Sequence, residues 1–380
     1  MSVHPSESIK GALSQKLEGR TIVLGISGGI ACVECVKLAR QLIRHGAEVI
    51  PVMTDEACRF ISPMTMEFAT GNAAITGLSG KTEHVSIDFD LLLVAPCTAN
   101  TLSKIALGIA DNALTTFALT ARKMLLAPSM HLSMYENEVL QRHIKRCRER
   151  GILFVPPEMG ERKAKMAGIE RIVADSLRAL RAGRGGKRVL IIGGATGEPL
   201  DDVRVITNLS SGKMARALAM EAYERGMDVE AWASFPMPPY ITTEHFTSIH
   251  DLLGLIKRER TYDAVINCAA ISDFTVAKQK GKIKSGKKMT VTLEPAPRVN
   301  PLLRKMAKTV IGFKLAENES EVIPRATELV EKDDLDYAIG NTIESLGSDS
   351  VRIWIVGKKG PVRETSGKKE EVAMEILDLI

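Results

Sequence analysis

From residue 20 onward, continuous apolar runs alternate with amphipathic segments, and each half of the chain opens on a run that ends in a small-residue turn. In the first half, Thr21-Ile22-Val23-Leu24-Gly25-Ile26 leads into Ser27-Gly28-Gly29-Ile30-Ala31. In the second, Arg188-Val189-Leu190-Ile191-Ile192 leads into Gly193-Gly194-Ala195-Thr196-Gly197-Glu198-Pro199-Leu200-Asp201, and Asn208-Leu209-Ser210-Ser211-Gly212-Lys213 then starts a helix. Strands without polar alternation need cover on both faces, which a parallel sheet between two layers of helices provides. Free backbone N–H groups at a helix start, with hydroxyls beside them, bind anions. The pattern predicts an α/β chain of two doubly wound parallel-sheet domains, each with a phosphate cradle.

Strands are expected at 21–26, 48–53, 90–95, 123–127 and 152–155, then at 188–192, 228–233, 262–268, 309–313, 335–339 and 351–356. Helices are expected at 30–44, 62–70, 98–120, 135–149 and 170–181, then at 211–225, 249–259, 300–308, 319–332 and 369–380. Ala182-Gly183-Arg184-Gly185-Gly186-Lys187 reads as a flexible linker between domains at 1–182 and 187–380. The net charge of +5, from 51 basic and 46 acidic residues, suits phosphorylated small molecules and does not call for nucleic acid. No apolar run reaches the roughly 18 residues a membrane span needs, and residues 1–15 lack the apolar core of a signal peptide. Six scattered cysteines form no disulfide framework, so a cytoplasmic location without membrane attachment is expected. Cys32-x-x-Cys35 fits the apolar face of a helix better than a redox pair.

Three clusters fall at expected strand ends of the first half. They are Ser27-Gly28-Gly29 with Thr54; Ala95-Pro96-Cys97-Thr98-Ala99-Asn100-Thr101 with Gly108-Ile109-Ala110-Asp111-Asn112; and Pro128-Ser129-Met130-His131-Leu132-Ser133-Met134-Tyr135. The glycine pair lacks the third glycine of a dinucleotide fingerprint, which favours a mononucleotide over NAD. Together with His84-Val85 and Asp90-Leu91-Leu92-Leu93-Val94-Ala95-Pro96, these segments resemble the flavin-containing cysteine decarboxylases over residues 20–180. Residues 187–380 resemble the phosphopantothenate–cysteine ligases, and this order of halves is that of the bifunctional coenzyme A biosynthesis proteins.

The resemblance implies a flavodoxin-like/Rossmann-like flavin domain followed by a Rossmann-like ligase domain. It implies FMN held by Ser27, Gly28, Gly29, Thr54, Pro96, Thr98, Asn100, Asp111, Asn112 and Met130. Flavin supplies the redox step that prepares a thiol-bearing carbon for loss of CO2. His84 is the expected base for forming the substrate thiolate, because histidine changes charge nearest neutrality. Two positions depart from the family pattern. His131 stands where an asparagine is expected, and Ala164 stands where the bacterial clamp over the substrate carries a proton-donating cysteine. Lys165 or His131 is expected to replace that donor.

In the ligase half, the resemblance assigns Asn208, Ser210, Ser211, Gly212 and Lys213 to the substrate phosphate and the acyl nucleotide. It assigns Asn267, Cys268, Ala269, Ala270 and Asp273 to the nucleotide, with Asp273 also a candidate for its metal. It further implicates Asn300, Pro301, Phe313, Lys332 and Asn341. Six lysines lie between 278 and 288, and Lys282 in Lys282-Ile283-Lys284 is expected to serve the triphosphate charge. The implied reaction joins 4′-phosphopantothenate to cysteine through an acyl-cytidylate made with CTP and Mg2+. A homo-oligomer is implied, with flavin-domain trimers and ligase-domain dimers assembling up to a dodecamer.

Three other functions fit parts of the sequence. One is a flavin prenyltransferase-like first half. Another is a regulatory flavin-binding domain without decarboxylase activity. The third is a short-chain-dehydrogenase-like oxidoreductase, suggested by Gly193-Gly194-Ala195 but lacking a Tyr-x-x-x-Lys pair after Asn267-Cys268-Ala269-Ala270.

Overall fold

The computed structural model describes residues 4–181, 186–286 and 288–380. Lys287 and residues 182–185 of the expected linker lie outside these. The chain divides into two compact units, Met1–Ala182 and Gly183–Ile380.

In the first unit, strand Thr21–Ile26 lies between Glu48–Met53 and Leu91–Cys97, followed by Met124–Pro128 and Leu153–Phe154. All pairings are parallel. Counted along the chain, the order is 2-1-3-4-5, the flavodoxin-like arrangement whose crevice opens between strands 1 and 3. Both sheet faces are covered. Ile22, Leu24 and Ile26 enter one apolar cluster with Leu91, Leu93 and Ala95, while Val23 enters the other with Leu92, Val94 and Cys97. That two-sided burial is why these strands read as continuous apolar runs.

The second unit has an eight-stranded sheet. Its first six strands in chain order are Arg188–Gly193, Asp228–Ala233, Thr242–His245, Tyr262–Asn267, Ala307–Ala316 and Tyr337–Thr342. They lie in the order 3-2-1-4-5-6 and pair in parallel, placing the crevice between Arg188–Gly193 and Tyr262–Asn267. Ser350–Gly357 and Gly360–Lys368 extend this sheet with antiparallel pairings.

Several elements differ from the expectation. The helix expected over 98–120 is two helices, Ala99–Leu107 and Ala113–Thr120. Gly108 ends the first with φ 74°, and Asn112 starts the second through a reciprocal capping pair with Thr115. Residues 30–34 form a 3-10 turn before the helix Cys35–Arg44. Asn137 caps Glu138–Glu149 and separates it from the short helix Leu132–Tyr135. Only Asn300–Leu303 of the helix expected at 300–308 forms, because Ala307 already starts a strand. Cys32 and Cys35 are buried, with their thiols directed at the carbonyls of Ser27 and Ala95. Burial raises both thiols above their ordinary range, consistent with a packing role.

His45, at the end of helix Cys35–Arg44, makes the first unit sensitive to acid. Its Nδ1 lies 2.7 Å from Ser14 Oγ. Burial lowers the imidazole from 6.5 to about 4, with a smaller contribution from the Lys16 ammonium. The unfolded chain therefore takes up a proton near pH 6.5 that the folded unit refuses until about pH 4. This contribution is complete above pH 6.5 and is lost progressively as pH falls from 6.5 to about 4. Chemical unfolding at pH 7 and pH 4.5 should show a loss of about 2–3 kcal/mol from this group. His45→Gln should remove that part of the pH dependence.

Candidate functional site

At the crevice of the first sheet lies a cavity of ≈ 1010 Å³, lined by Gly28, Gly29, Thr54, Thr98, Asn100, Asp111, Asn112, Met130, His131 and Lys165 among others. Three caps define its polar wall. Thr54 Oγ1 accepts from Ala57 N at 3.2 Å, Thr98 Oγ1 from Thr101 N at 3.4 Å, and Asn112 Oδ1 from Thr115 N at 3.0 Å. Each cap holds a helix start at the cavity, so partial positive charge from backbone N–H groups converges there. Gly28 packs against the first of these helices: a Cβ at Gly28 would meet Glu56 Cβ at 2.3 Å. A Cβ at Gly29 would touch Thr98 Cγ2 at 3.8 Å and nothing nearer, leaving room for a ligand to approach the backbone.

Ser27 and Pro96 are not part of the lining. Ser27 Oγ donates to Pro96 O at 2.7 Å and accepts from Thr98 N at 3.0 Å, so the pair supports the wall from behind. Lys104 Nζ lies 2.7 Å from Asp111 Oδ2, and its hydrogen bond holds that carboxyl below the ordinary range.

A three-stranded flap forms one side of the cavity. Met130–His131 pairs with Lys163–Lys165, which pairs with Glu158–Gly160. Glu161 and Arg162, at φ 49° and 59°, make the two-residue hairpin turn. The register sets Met130 opposite Ala164 and His131 opposite Lys163. His131 Nδ1 is 3.0 Å from Ser133 Oγ, and Lys165 Nζ is 2.6 Å from Glu161 Oε2. His131 and Lys165 thus share the flap with Ala164. His84 does not join them: it sits on the short helix Glu83–Ser86, outside the lining, with its Nδ1 buried and without a hydrogen-bond partner.

The second sheet carries its own crevice, a cavity of ≈ 730 Å³ lined by residues 208–215, 267–273, Asn300, Phe313 and Asn341 among others. Thus Asn208, Ser210, Ser211, Gly212, Lys213, Asn267, Cys268, Ala269, Ala270 and Asp273 are brought together. Gly212 starts the helix Lys213–Glu224 at φ 69°, and a Cβ there would meet the Phe235 ring at 2.4 Å. Asn208 Nδ2 donates to the carbonyls of Ala270 and Ile271 at 3.3 and 3.2 Å, joining the two principal segments. Asn267 Nδ2 donates to Asn300 Oδ1 at 2.7 Å, and Asn300 Nδ2 to Asp333 Oδ2 at 3.0 Å. Arg298 pairs with the other oxygen of Asp333. Lys213 Nζ is held by Asp349 Oδ1 at 2.5 Å and Gly347 O at 2.9 Å. Burial pushes the Cys268 thiol up to about 12, which leaves it a packing residue rather than a nucleophile.

Lys282, Pro301 and Lys332 lie outside this lining. Lys332 is exposed, whereas its neighbour Asp333 is buried and faces the cavity. Arg298, Lys314, Arg325 and Lys369 supply positive charge in the lining instead. Lys369 is buried, and burial, aided by the Lys213 charge, lowers its affinity for a proton. Among the described residues, no cluster of three His, Cys, Asp or Glu side chains could hold a metal unaided. No helix among them is long and apolar enough to cross a membrane.

Residues 10–181 match the family model described as Flavoprotein, and residues 184–380 match the C-terminal domain of the DNA/pantothenate metabolism flavoproteins. The coenzyme A biosynthesis bifunctional protein CoaBC of Thermococcus kodakarensis is 39% identical over 100% of this chain and 99% of its own length. The protein of the same name from Methanocaldococcus jannaschii is 37% identical over 100% of this chain and 97% of its own. A crystal structure of the C-terminal domain of a CoaBC protein superposes with a TM-score of 0.41 at 27% identity, covering 51% of this chain and 94% of that one. The chain belongs to the family of bifunctional coenzyme A biosynthesis proteins, which join a phosphopantothenoylcysteine decarboxylase to a phosphopantothenate–cysteine ligase.

Proposed function

We propose that the second cavity joins 4′-phosphopantothenate to cysteine at the expense of CTP, and that the first decarboxylates the product to 4′-phosphopantetheine with FMN. The observation that carries this assignment is the pair of crevices, each at the carboxyl edge of its own sheet and each lined by the start of a helix.

The first cavity suits FMN. Gly29 leaves backbone open, and the helix starts at Thr98 and Asn112 offer N–H groups to a phosphate. Gly28, Gly29, Thr54, Thr98, Asn100, Asp111, Asn112 and Met130 would hold it, with Ser27 and Pro96 supporting them. When bound, FMN supplies the two-electron oxidation and its reversal. His84 removes the proton of the substrate thiol, and its buried Nδ1 has no hydrogen-bond partner that fixes the ring's tautomer. Because His84 lies outside its own chain's cavity, it would serve the site of a second copy in a homo-oligomer. Ile30 and Met134, 74% and 48% exposed beside the cavity, fit burial in such a contact. His131 holds the substrate carboxylate, and Lys165 or His131 returns the proton that finishes the product. Full decarboxylase turnover in both Lys165→Ala and His131→Asn would remove both from the donor role.

In the second cavity, the start of helix Lys213–Glu224, with Ser210, Ser211 and Lys213, receives phosphate. Asn208 positions the reacting groups through its tie to residues 270 and 271. Asp273 is exposed in this lining and suits a Mg2+ that keeps waters and binds mainly through phosphates. The substrate carboxylate attacks the α-phosphate, pyrophosphate leaves, and the cysteine amine then displaces CMP. With CTP, Mg2+ and phosphopantothenate alone, the protein should release pyrophosphate but no CMP, and CMP should appear when cysteine is added. Equal turnover with ATP would overturn the choice of cytidine. The site assignments and substrates fit a cytoplasmic enzyme.

A further inference from the structure

The segment between the glycine-rich turn and Asn208 is a hairpin. Gly197–Pro199 pairs antiparallel with Val205–Thr207, and Leu200 to Arg204 form its tip. Asp201 in this tip has a side chain with 0% exposure. Its Oδ1 accepts from Val203 N and Arg204 N, both at 2.7 Å. Its Oδ2 accepts from the Arg204 guanidinium at 2.5 Å and from Ile283 N at 3.0 Å. Burial alone would raise this carboxyl, but the N–H groups of Ile283, Val203 and Arg204 outweigh it and lower it to about 2. Arg204 also donates to Ile283 O at 3.2 Å.

The adjacent carboxylate repeats the pattern one step away. Asp202 Oδ2 accepts from Gly281 N at 2.9 Å, Asp202 N donates to Gly281 O at 3.4 Å, and Lys278 Nζ lies 2.8 Å from Asp202 Oδ1. Gln279 N donates to Leu200 O at 3.0 Å. The residues on either side of Lys282 are thus tied through their amides, Gly281 to the Asp202 carboxylate and Ile283 to that of Asp201. A segment rich in lysine repels itself, and two carboxylates at its base offset that charge while fixing its path.

We infer that Asp201, assisted by Asp202, is a positioning residue for the ligase: it holds the backbone around Lys282 to the hairpin that leads into Asn208–Lys213. The lysine and the anion-binding helix start are thereby carried on one connected piece of backbone. Lys282 then meets the triphosphate from an anchored position, and among the described residues none from Lys284 to Lys288 is held by this pair. The inference rests on Lys282 serving the nucleotide.

The test is a double-mutant cycle in the full-length holoenzyme, with pyrophosphate release as readout. Asp201→Asn keeps the shape of the side chain but places an NH2 group among N–H donors. It should lower kcat by about 10²-fold while the KM for CTP changes by less than about 3-fold. Lys282→Ala should be impaired, and the double variant should be no slower than Lys282→Ala alone. Hydrogen exchange should show faster exchange at the Gly281 and Ile283 amides in Asp201→Asn, with the strand amides of the same unit unchanged. If Asp201→Asn folds poorly, Asp202→Ala at its exposed position carries the test: exchange at Gly281 should speed, and unchanged exchange there would overturn the inference. Losses that multiply in the double variant, or unchanged exchange at Ile283 in Asp201→Asn, would overturn the inference. Full turnover in Lys282→Ala would overturn the assignment of the lysine and the inference with it. Exchange at Ile283 would still report whether the backbone tie exists.

Discussion

Lys282→Ala should lower ligase turnover by about 10²- to 10³-fold, the loss usual when one preorganised group facing developing charge is removed. The triphosphate gathers several negative charges, and departure of pyrophosphate concentrates charge on the leaving oxygens. The helix start at Lys213 offers fixed N–H groups, and Lys213 itself is partly neutralised by Asp349. Arg298, Lys314, Arg325 and Lys369 already bring positive charge to the lining, and an ammonium delivered from outside it acts best from a backbone that is held in place. Lys282 is bracketed by the Gly281 and Ile283 bonds to Asp202 and Asp201, whereas Lys284 and Lys288 have no such bracket among the described residues. Lys284→Ala should therefore cost far less than Lys282→Ala. Steady-state pyrophosphate release for both variants checks this ordering. Equal losses would mean that the segment acts through its summed charge rather than through one placed lysine.

Gly28→Ala should yield protein that loses its flavin on purification. The added Cβ would sit 2.3 Å from Glu56 Cβ and 2.9 Å from Glu56 C, and the second atom is backbone. A flexible side chain could swing aside, but here the helix Asp55–Cys58 and its cap Thr54 have to shift. Overpacking of this kind costs about 1–3 kcal/mol. Thr54, Asp55 and Glu56 all line the first cavity, so the strain falls directly on its wall. Because 1.4 kcal/mol is tenfold in affinity, FMN binding should weaken by about 10- to 100-fold. Flavin absorbance after purification and titration with FMN measure the loss. Ligase turnover in the same chain shows whether the second unit has folded.

The two sheets were legible in the sequence because their central strands are buried on both faces and therefore contain almost no polar residues. Thr21–Ile26 and Arg188–Gly193 begin where the apolar runs begin. The gathering of the candidate-site segments was legible for a related reason: doubly wound sheets bring strand ends together, so clusters far apart in sequence meet at one edge. The final hairpin strand was not legible. Gly360–Lys368 has little buried side chain and carries charged residues, so it lacks an apolar signature. Missing that strand hid the meaning of Lys369, which reads as a surface helix residue and instead lies buried in the ligase cavity. Lys332 failed through helical phase: about 100° of rotation per residue turns Asp333 inward and leaves Lys332 outside. The break in the helix expected at 98–120 was visible in Gly108 and Asn112, but the apolar content of the flanking segments outweighed those two residues.

The most direct measurement supplies the flavin-loaded protein with 4′-phosphopantothenate, cysteine, CTP and Mg2+ and counts every product. Pyrophosphate, CMP, CO2 and 4′-phosphopantetheine should form in equal amounts, with Gly28→Ala stalling at phosphopantothenoylcysteine and Lys282→Ala stalling before it. Accumulation of phosphopantothenoylcysteine without CO2 in the unaltered, flavin-loaded protein would contradict two working active sites in one chain.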